Sequence, residues 1–315
     1  MGWVCPMCSS NNDSKDRTCI VCGELAPESV LNFDIQSQMD SANSKFYSLL
    51  GAYQRVDLEE LFNDALSIIK NNPSDGFEKM LECANRGYPP AENRVGDCYY
   101  YGTGISQNFS QAFQWFEKAA KHDYTQAQYN LAFCYYFGKG TFKNHEKAFL
   151  WYQKAAERGH ATSQYELGDC YYFGTGTEKN FDKAFYWYKK SAEQGNASGI
   201  FNLGYCYLKG VGTEVDQIQA YKYFCKAADL GNLDARNFIG ECYYYGYGVS
   251  KDYSKAVEHY LIAADAGLAK AQFNVGFCYE RGQGVITSKA KAIEWYTKAA
   301  AKGNENAQKA LDRLK

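Results

Sequence analysis

Proline is scarce in this chain and missing from most of it. The five prolines stand at 6, 27, 73, 89 and 90, so the 225 residues that follow contain nothing that would break a helix interior. No run of 18 or more apolar residues exists, which excludes a membrane-spanning helix. The opening residues, MGWVCPMCSSNND, lack the basic and apolar stretches of a secretory signal, so a soluble, cytoplasmic protein is expected. A surplus of charge is also lacking. Lys and Arg number 34 against 36 acids, a net of -2, too flat for a chain built mainly to hold nucleic acid or an anionic membrane. Only four histidines occur (122, 145, 160 and 259), with neither H-x-x-x-H spacing nor a repeat logic. There is no G-x-S-x-G, no P-loop and no G-x-G-x-x-G after a strand, so no enzyme motif stands out. Aromatic residues are plentiful instead: 28 Tyr, 19 Phe and 5 Trp must find places in the core or on an interface.

The 12 cysteines divide the chain. Cys5, Cys8, Cys19 and Cys22 crowd its start, while Cys98, Cys134, Cys170, Cys206, Cys242 and Cys278 each lie 36 residues from the next. Around that second set the sequence repeats, as in VGDCYYYGTG, LAFCYYFGKG and LGDCYYFGTG. Glycine recurs at 102, 138, 174, 210, 246 and 282, and again two residues later each time. Half a period on come alanine at 112, 148, 184, 220, 256 and 292 and aromatic pairs such as Trp151-Tyr152 and Trp187-Tyr188. A fixed period of this size is the signature of a stacked array.

Each unit reads as two helices. Ala127, Leu131, Ala132 and Tyr135 share one helix face, and Gly138 stops that helix because glycine adopts a left-handed C′ conformation at least cost. Asn108, Asn144, Asn180, Asp216, Asp252 and Ser288 recur as N-caps for the second helix, whose stripe is Ala148, Trp151, Tyr152, Ala155 and Ala156. The predicted fold is therefore all-α: an α-solenoid of about six helix pairs over 90–304, behind a diverged leading pair at 55–89 and ahead of a polar capping helix at 305–315. Within the leading pair the helices are placed at Asp57–Lys70 and Phe77–Arg86. The marker cysteines are expected to be reduced, small core residues, since equivalent positions of stacked helices lie roughly 10 Å apart, too far for a disulfide.

The pattern A-x-x-x-L-G/A-x-x-Y-x-x-G-x-G followed by K-A-x-x-W-Y-x-K-A-A-x-x-G resembles the Sel-one-like repeat family, relatives of the tetratricopeptide repeats. The resemblance implies a right-handed α-solenoid acting as an intracellular adaptor or scaffold for protein partners. Some cysteine-rich secreted relatives have been labelled β-lactamases, so a hydrolase is the alternative. That branch pairs two cysteines inside each repeat, whereas one per repeat stands here.

Cys5-x2-Cys8-x10-Cys19-x2-Cys22 offers four thiolates in two pairs, the donor set of a closed, structural Zn²⁺ site. Residues 1–24 are too short for a core of their own, so one zinc ion would supply their folding energy. With Trp3 and Asn12, this segment resembles the zinc finger of the Ran-binding nuclear-pore family; a plain zinc ribbon is the other fit. The resemblance brings ubiquitin, single-stranded RNA or a small GTPase as ligands, and a different protein partner is expected here. Ser9-Ser10 stands where ubiquitin binders carry Thr-Phe, and Asp13 and Lys15-Asp16 replace the aromatic and paired Arg of RNA binders. Residues 25–54 read as a polar linker, partly helical.

In tetratricopeptide repeats the first helix of each pair lines the groove. Carried over by register, the groove positions of one unit are Tyr129, Asn130, Phe133, Tyr136 and Phe137. Asparagine recurs in alternate units as Asn130, Asn202 and Asn274, and the third position alternates as Asp97, Phe133, Asp169, Tyr205, Glu241 and Phe277, a 72-residue superperiod. The expectation is that the Asn amides pair with the main chain of an extended peptide, the rings grip its side chains and the acids favour basic residues.

Overall fold

The computed structural model describes residues 57–314 together with 3–4, 11–12, 41, 44, 45 and 48. Two compact units divide the chain, Met1–Ala91 and Glu92–Lys315.

In the first unit β1 (Trp3–Val4) and β2 (Asn11–Asn12) pair antiparallel, Trp3 opposite Asn12 and Val4 opposite Asn11. Cys5, Cys8, Cys19 and Cys22 lie outside the described residues, and so does the 25–54 stretch apart from residues 41, 44, 45 and 48, which are helical and exposed. A helical segment, α1 (57–68), precedes α2 (Pro73–Asn85). α2 starts four residues before the position read from the sequence. Pro73 suits the first helical turn because its missing N–H would be unpaired there, and the Asn72 side chain caps it by accepting from the Asp75 N–H. Phe77, Met80 and Cys83 are buried, and the pairs Lys79–Asp64 and Arg86–Asp57 tie the two helices at the surface.

From Pro89 to Ala301 the chain runs in helices of 13 residues in strict alternation. The first helices of the pairs, here A-helices, are α3 (Pro89–Tyr101), α5 (Thr125–Phe137), α7 (Ala161–Phe173), α9 (Ala197–Lys209), α11 (Leu233–Tyr245) and α13 (Ala269–Arg281). The second, or B-helices, are α4 (Phe109–Lys121), α6 (His145–Glu157), α8 (Phe181–Glu193), α10 (Gln217–Asp229), α12 (Tyr253–Asp265) and α14 (Lys289–Ala301). α15 (Glu305–Leu314) closes the array, burying Ala307 and Ala310 and pairing Arg313 with Glu280 at 2.6 Å.

Local chemistry explains the regularity. All six expected N-caps accept from the N–H three residues on, at 2.8–3.3 Å. The same residues donate their own N–H to a tyrosine carbonyl of the preceding A-helix: Asn144 to Tyr135 at 2.8 Å, Asn180 to Tyr171 at 2.9 Å. Each short loop is thereby closed at both ends. The first glycine of every G-x-G holds the left-handed turn, as Gly174 does at φ 74°. The second has another task. A methyl group on Gly176 would lie 2.5 Å from the His145 carbonyl carbon, and one on Gly212 2.7 Å from that of Phe181. These are the first residues of α6 and α8, so each loop presses its backbone onto the B-helix of the preceding pair.

The core follows the expected division between small and large. Gly168, Gly240 and Gly276 leave the space that Tyr188, Tyr260 and Tyr296 fill. In every aromatic pair the second ring is buried: Phe116, Tyr152, Tyr188, Phe224, Tyr260 and Tyr296. Trp151 departs from the expected stripe. It is only half-buried, with the Lys154 ammonium 4.1 Å above its ring. The six marker cysteines are free and buried, and burial pushes the Cys134 and Cys206 thiols up to about 12. Such thiols are protonated and unreactive.

Candidate interaction face

The A-helices share a face on which the last helical residue projects outward. Tyr101, Phe137, Phe173 and Tyr245 occupy that place and are 53–73% exposed. Lys209 and Arg281 stand there in the other two pairs. A row of exposed rings at one register is costly to leave in water and makes this face the candidate for contact.

Behind this row lie three clefts of the same design. The first, about 100 Å³, is walled by Asp97, Tyr100, Tyr129, Asn130 and Phe133, with Tyr101 at its edge. The second, about 430 Å³, is walled by Asp169, Tyr172, Phe201, Asn202 and Tyr205, with Phe173 at its edge. The third, about 150 Å³, has Tyr244, Phe273, Asn274 and Phe277, with Tyr245. Corresponding residues differ by 72, so each cleft starts between the two A-helices of one two-pair block; the second runs on over the next two A-helices, where Asp234, Phe238 and Lys270 also line it.

The expected groove residues are brought together on this face, with the amides engaged in a way the spacing did not reveal. Asn130 Nδ2 donates to Asn93 Oδ1 at 2.9 Å and lies 3.5 Å from Asp97 Oδ1. Asn202 Nδ2 donates to Asp169 Oδ1 at 3.1 Å, and Asn274 Nδ2 to Asn237 Oδ1 at 2.9 Å. Each asparagine thus forms a polar rung to the preceding A-helix. Tyr136 packs edge-on to Phe137 at 4.8 Å and Phe133 lies tilted against Phe137 at 4.5 Å, forming a continuous ring cluster. Tyr205 packs edge-on to Phe238 at 6.0 Å and Phe277 to Tyr244 at 6.4 Å.

The acids on this face are half-buried. Desolvation pushes the Asp97 carboxyl up to about 6, against a small opposing pull from Arg94, 3.6 Å away. Burial also raises Asp169, although Tyr188 Oη donates to it at 2.6 Å and Asn202 adds a second hydrogen bond. Glu241 is raised by burial and accepts from Asn237 at 3.0 Å. Among the described residues neither Asp169 nor Glu241 has an ion-pair partner.

The family model for the Sel1 repeat matches six consecutive segments, 89–124, 125–160, 161–196, 197–232, 233–268 and 269–304. The chain belongs to the Sel1 repeat family. Two solved structures support the same architecture. A Sel1 repeat protein from Oxalobacter formigenes is 29% identical, with a TM-score of 0.72 over 76% of this chain and 96% of its own. A protective antigen of uropathogenic Escherichia coli displaying an SLR fold is 31% identical, with a TM-score of 0.70 over 83% of this chain, which spans only 58% of that protein. The APC/C hetero-tetramer Cut9-Hcn1, 16% identical at a TM-score of 0.54, shares the fold alone. Among curated proteins no relative matches the chain. No described helix is long and apolar enough to cross a membrane.

Within the Sel1 array some working residues escaped the sequence reading. Glu166 stands one turn before Asp169 on α7, and burial, with that neighbouring acid, pushes its carboxyl up to about 7. Its register was the available signal, since asparagine holds the place in the repeats on either side. His160 caps α7 by accepting from the Ser163 N–H at 3.2 Å, as Asn196 and Asn232 cap the next two A-helices. Buried Glu92 contacts Lys118 at 3.1 Å and His122 at 2.9 Å. At the same register Gln164 and Gln272 donate to the Ala156 and Ala264 carbonyls at 3.1 Å.

Proposed function

We propose that this Sel1 array is a protein-interaction scaffold whose A-helix face receives an extended segment of a partner. The carrying observation is the row of exposed rings at Tyr101, Phe137, Phe173 and Tyr245 above clefts that hold both aromatic walls and polar groups. Rings on rigid helices lose little freedom on contact, so they suit the anchoring positions of an interface. The polar rungs supply rigidity, and the ligand is held by rings and carboxylates and not by the asparagine amides.

The amino-terminal segment is the second module. Cys5, Cys8, Cys19 and Cys22 form a donor set that fits one structural Zn²⁺, and the residues linking β1 to β2 carry the first two of them. This finger takes a second protein, joined to the array by residues 25–54, so that both ligands are held at raised effective concentration. Binding of ubiquitin or RNA by the finger is the less favoured choice, given Ser9-Ser10 and Asp13 at the deciding positions. The test is display of a peptide library to the full chain. Peptides it selects should lose at least about tenfold in affinity to a Tyr101→Ser, Phe173→Ser, Tyr245→Ser variant with unchanged circular dichroism. Unaltered affinity would place the interaction surface elsewhere.

A further inference from the structure

The three clefts repeat in shape but not in charge. Asp97 forms part of the wall of the first and Asp169 of the second. In the third no carboxylate reaches the wall: Asn274 bonds Asn237, and Glu241 lies one hydrogen bond further back. Asp234 and Lys270 also line the second cleft, so its wall carries two carboxylates against one ammonium, a net negative charge, while the same Lys270 offsets the charge of Glu241. The half-buried carboxylates keep charge that is only partly compensated: Arg94 stands 3.6 Å from Asp97, and the donors to Asp169 are the neutral groups of Tyr188 and Asn202. Water solvates them poorly, and a cation arriving there gains both the charge and the ring quadrupoles.

Resting on the scaffold reading, we infer that the first and second clefts are sockets for lysine or arginine side chains of one extended partner segment, and that the third takes an uncharged apolar side chain of that segment. The spacing of the segment follows from the array. Neighbouring A-helices touch through Asn130 and Asn93, so they pack at about 8–10 Å and two pairs advance roughly 16–20 Å. An extended chain rises about 3.3 Å per residue and returns a side chain to the same face at every second residue, so six is the even number that fits. The recognised segment reads cation, five residues, cation, five residues, apolar residue, or the reverse. Desolvation of Asp97 and Asp169 agrees with this, because a bound cation would relieve it.

The test uses the full chain and fluorescein-labelled peptides of about 18 residues of serine, threonine and glutamine, with two lysines six apart and a leucine six beyond, in both directions. Controls carry the lysines five apart, or glutamine in place of lysine. By fluorescence anisotropy the matched peptide should bind at least about tenfold more tightly than either control. Asp169→Asn with Asp97→Asn should erase that margin; asparagine keeps an oxygen for Tyr188 and Asn202. Equal binding of all peptides overturns the sockets. If such binding still falls in the Tyr101, Phe173 and Tyr245 variant, the scaffold reading survives their loss. A margin that persists in the double Asn variant also overturns the sockets, and because the peptide controls leave the protein untouched, misfolding of that variant does not decide the matter.

Discussion

Gly176 and Gly195 both adopt left-handed backbone, at φ 71° and 80°, yet alanine at the two sites should have very different consequences. Alanine in that conformation costs about 1–2 kcal/mol at either place. At Gly195 nothing lies within 4 Å of the added methyl, so the cost ends there. At Gly176 the methyl meets the His145 carbonyl carbon at 2.5 Å and the Glu146 nitrogen at 3.0 Å. Helix backbone cannot swing aside as a side chain can, so the loop must lift from α6. Overpacking of this kind adds about 1–3 kcal/mol, which brings Gly176→Ala to roughly 2–5 kcal/mol. Urea unfolding of the full chain, followed by circular dichroism, measures both variants under one protocol. Arrays need not unfold in one step, so the comparison rests on the relative order of midpoints and on repetition at Gly212 and Gly231, which should behave as Gly176 and Gly195 do. Equal midpoints for the two classes would refute the claim that the second glycine joins one helix pair to the previous one.

Other outcomes follow from the same geometry. Asn144→Ala removes a cap bond of 2.8 Å and should destabilise the array by about 1 kcal/mol, read as a lower urea midpoint; Asn144→Asp should restore most of it. Glu166 has a folded-state pKa of about 7 against an ordinary 4.5, so the folded chain binds the proton more tightly and stability falls as pH rises through that window. Glu166→Gln should remove that fall, leaving the variant more stable than the parent at pH 8; parallel melting curves at pH 5 and pH 8 would contradict the assignment. Elemental analysis of protein purified without chelator should give one zinc per chain, and Cys8→Ser or Cys22→Ser should abolish it while leaving the helical circular dichroism of the array in place.

The solenoid was legible because its determinants are local. A cysteine every 36 residues, paired glycines and a capping side chain each act within one loop or one turn, and each leaves its mark at a fixed register. The candidate face was legible only in part. Register alone put Asn130, Asn202 and Asn274 beside the acids, but whether an amide turns to a ligand or to a neighbouring helix depends on partners 33–37 residues away. Gly176 was visible as a repeat marker, and its contact with His145 was not, since that contact joins different pairs. The sequence reading starts α2 at Phe77, although Pro73 directly after Asn72 suits a first helical turn.

The contact that Gly140, Gly176, Gly212, Gly248 and Gly284 make with the helix behind them has a direction. A pair brings with it the surface that fastens it to its predecessor and receives the next pair by presenting the start of its own B-helix. Truncation from the carboxyl end therefore strips fasteners in order and leaves every remaining pair still held. A duplicated 72-residue block inserted between two existing blocks would arrive with its fastener, its rung and its cleft complete. Array length, and with it the number of side chains a partner must present, is then adjustable without redesigning any junction.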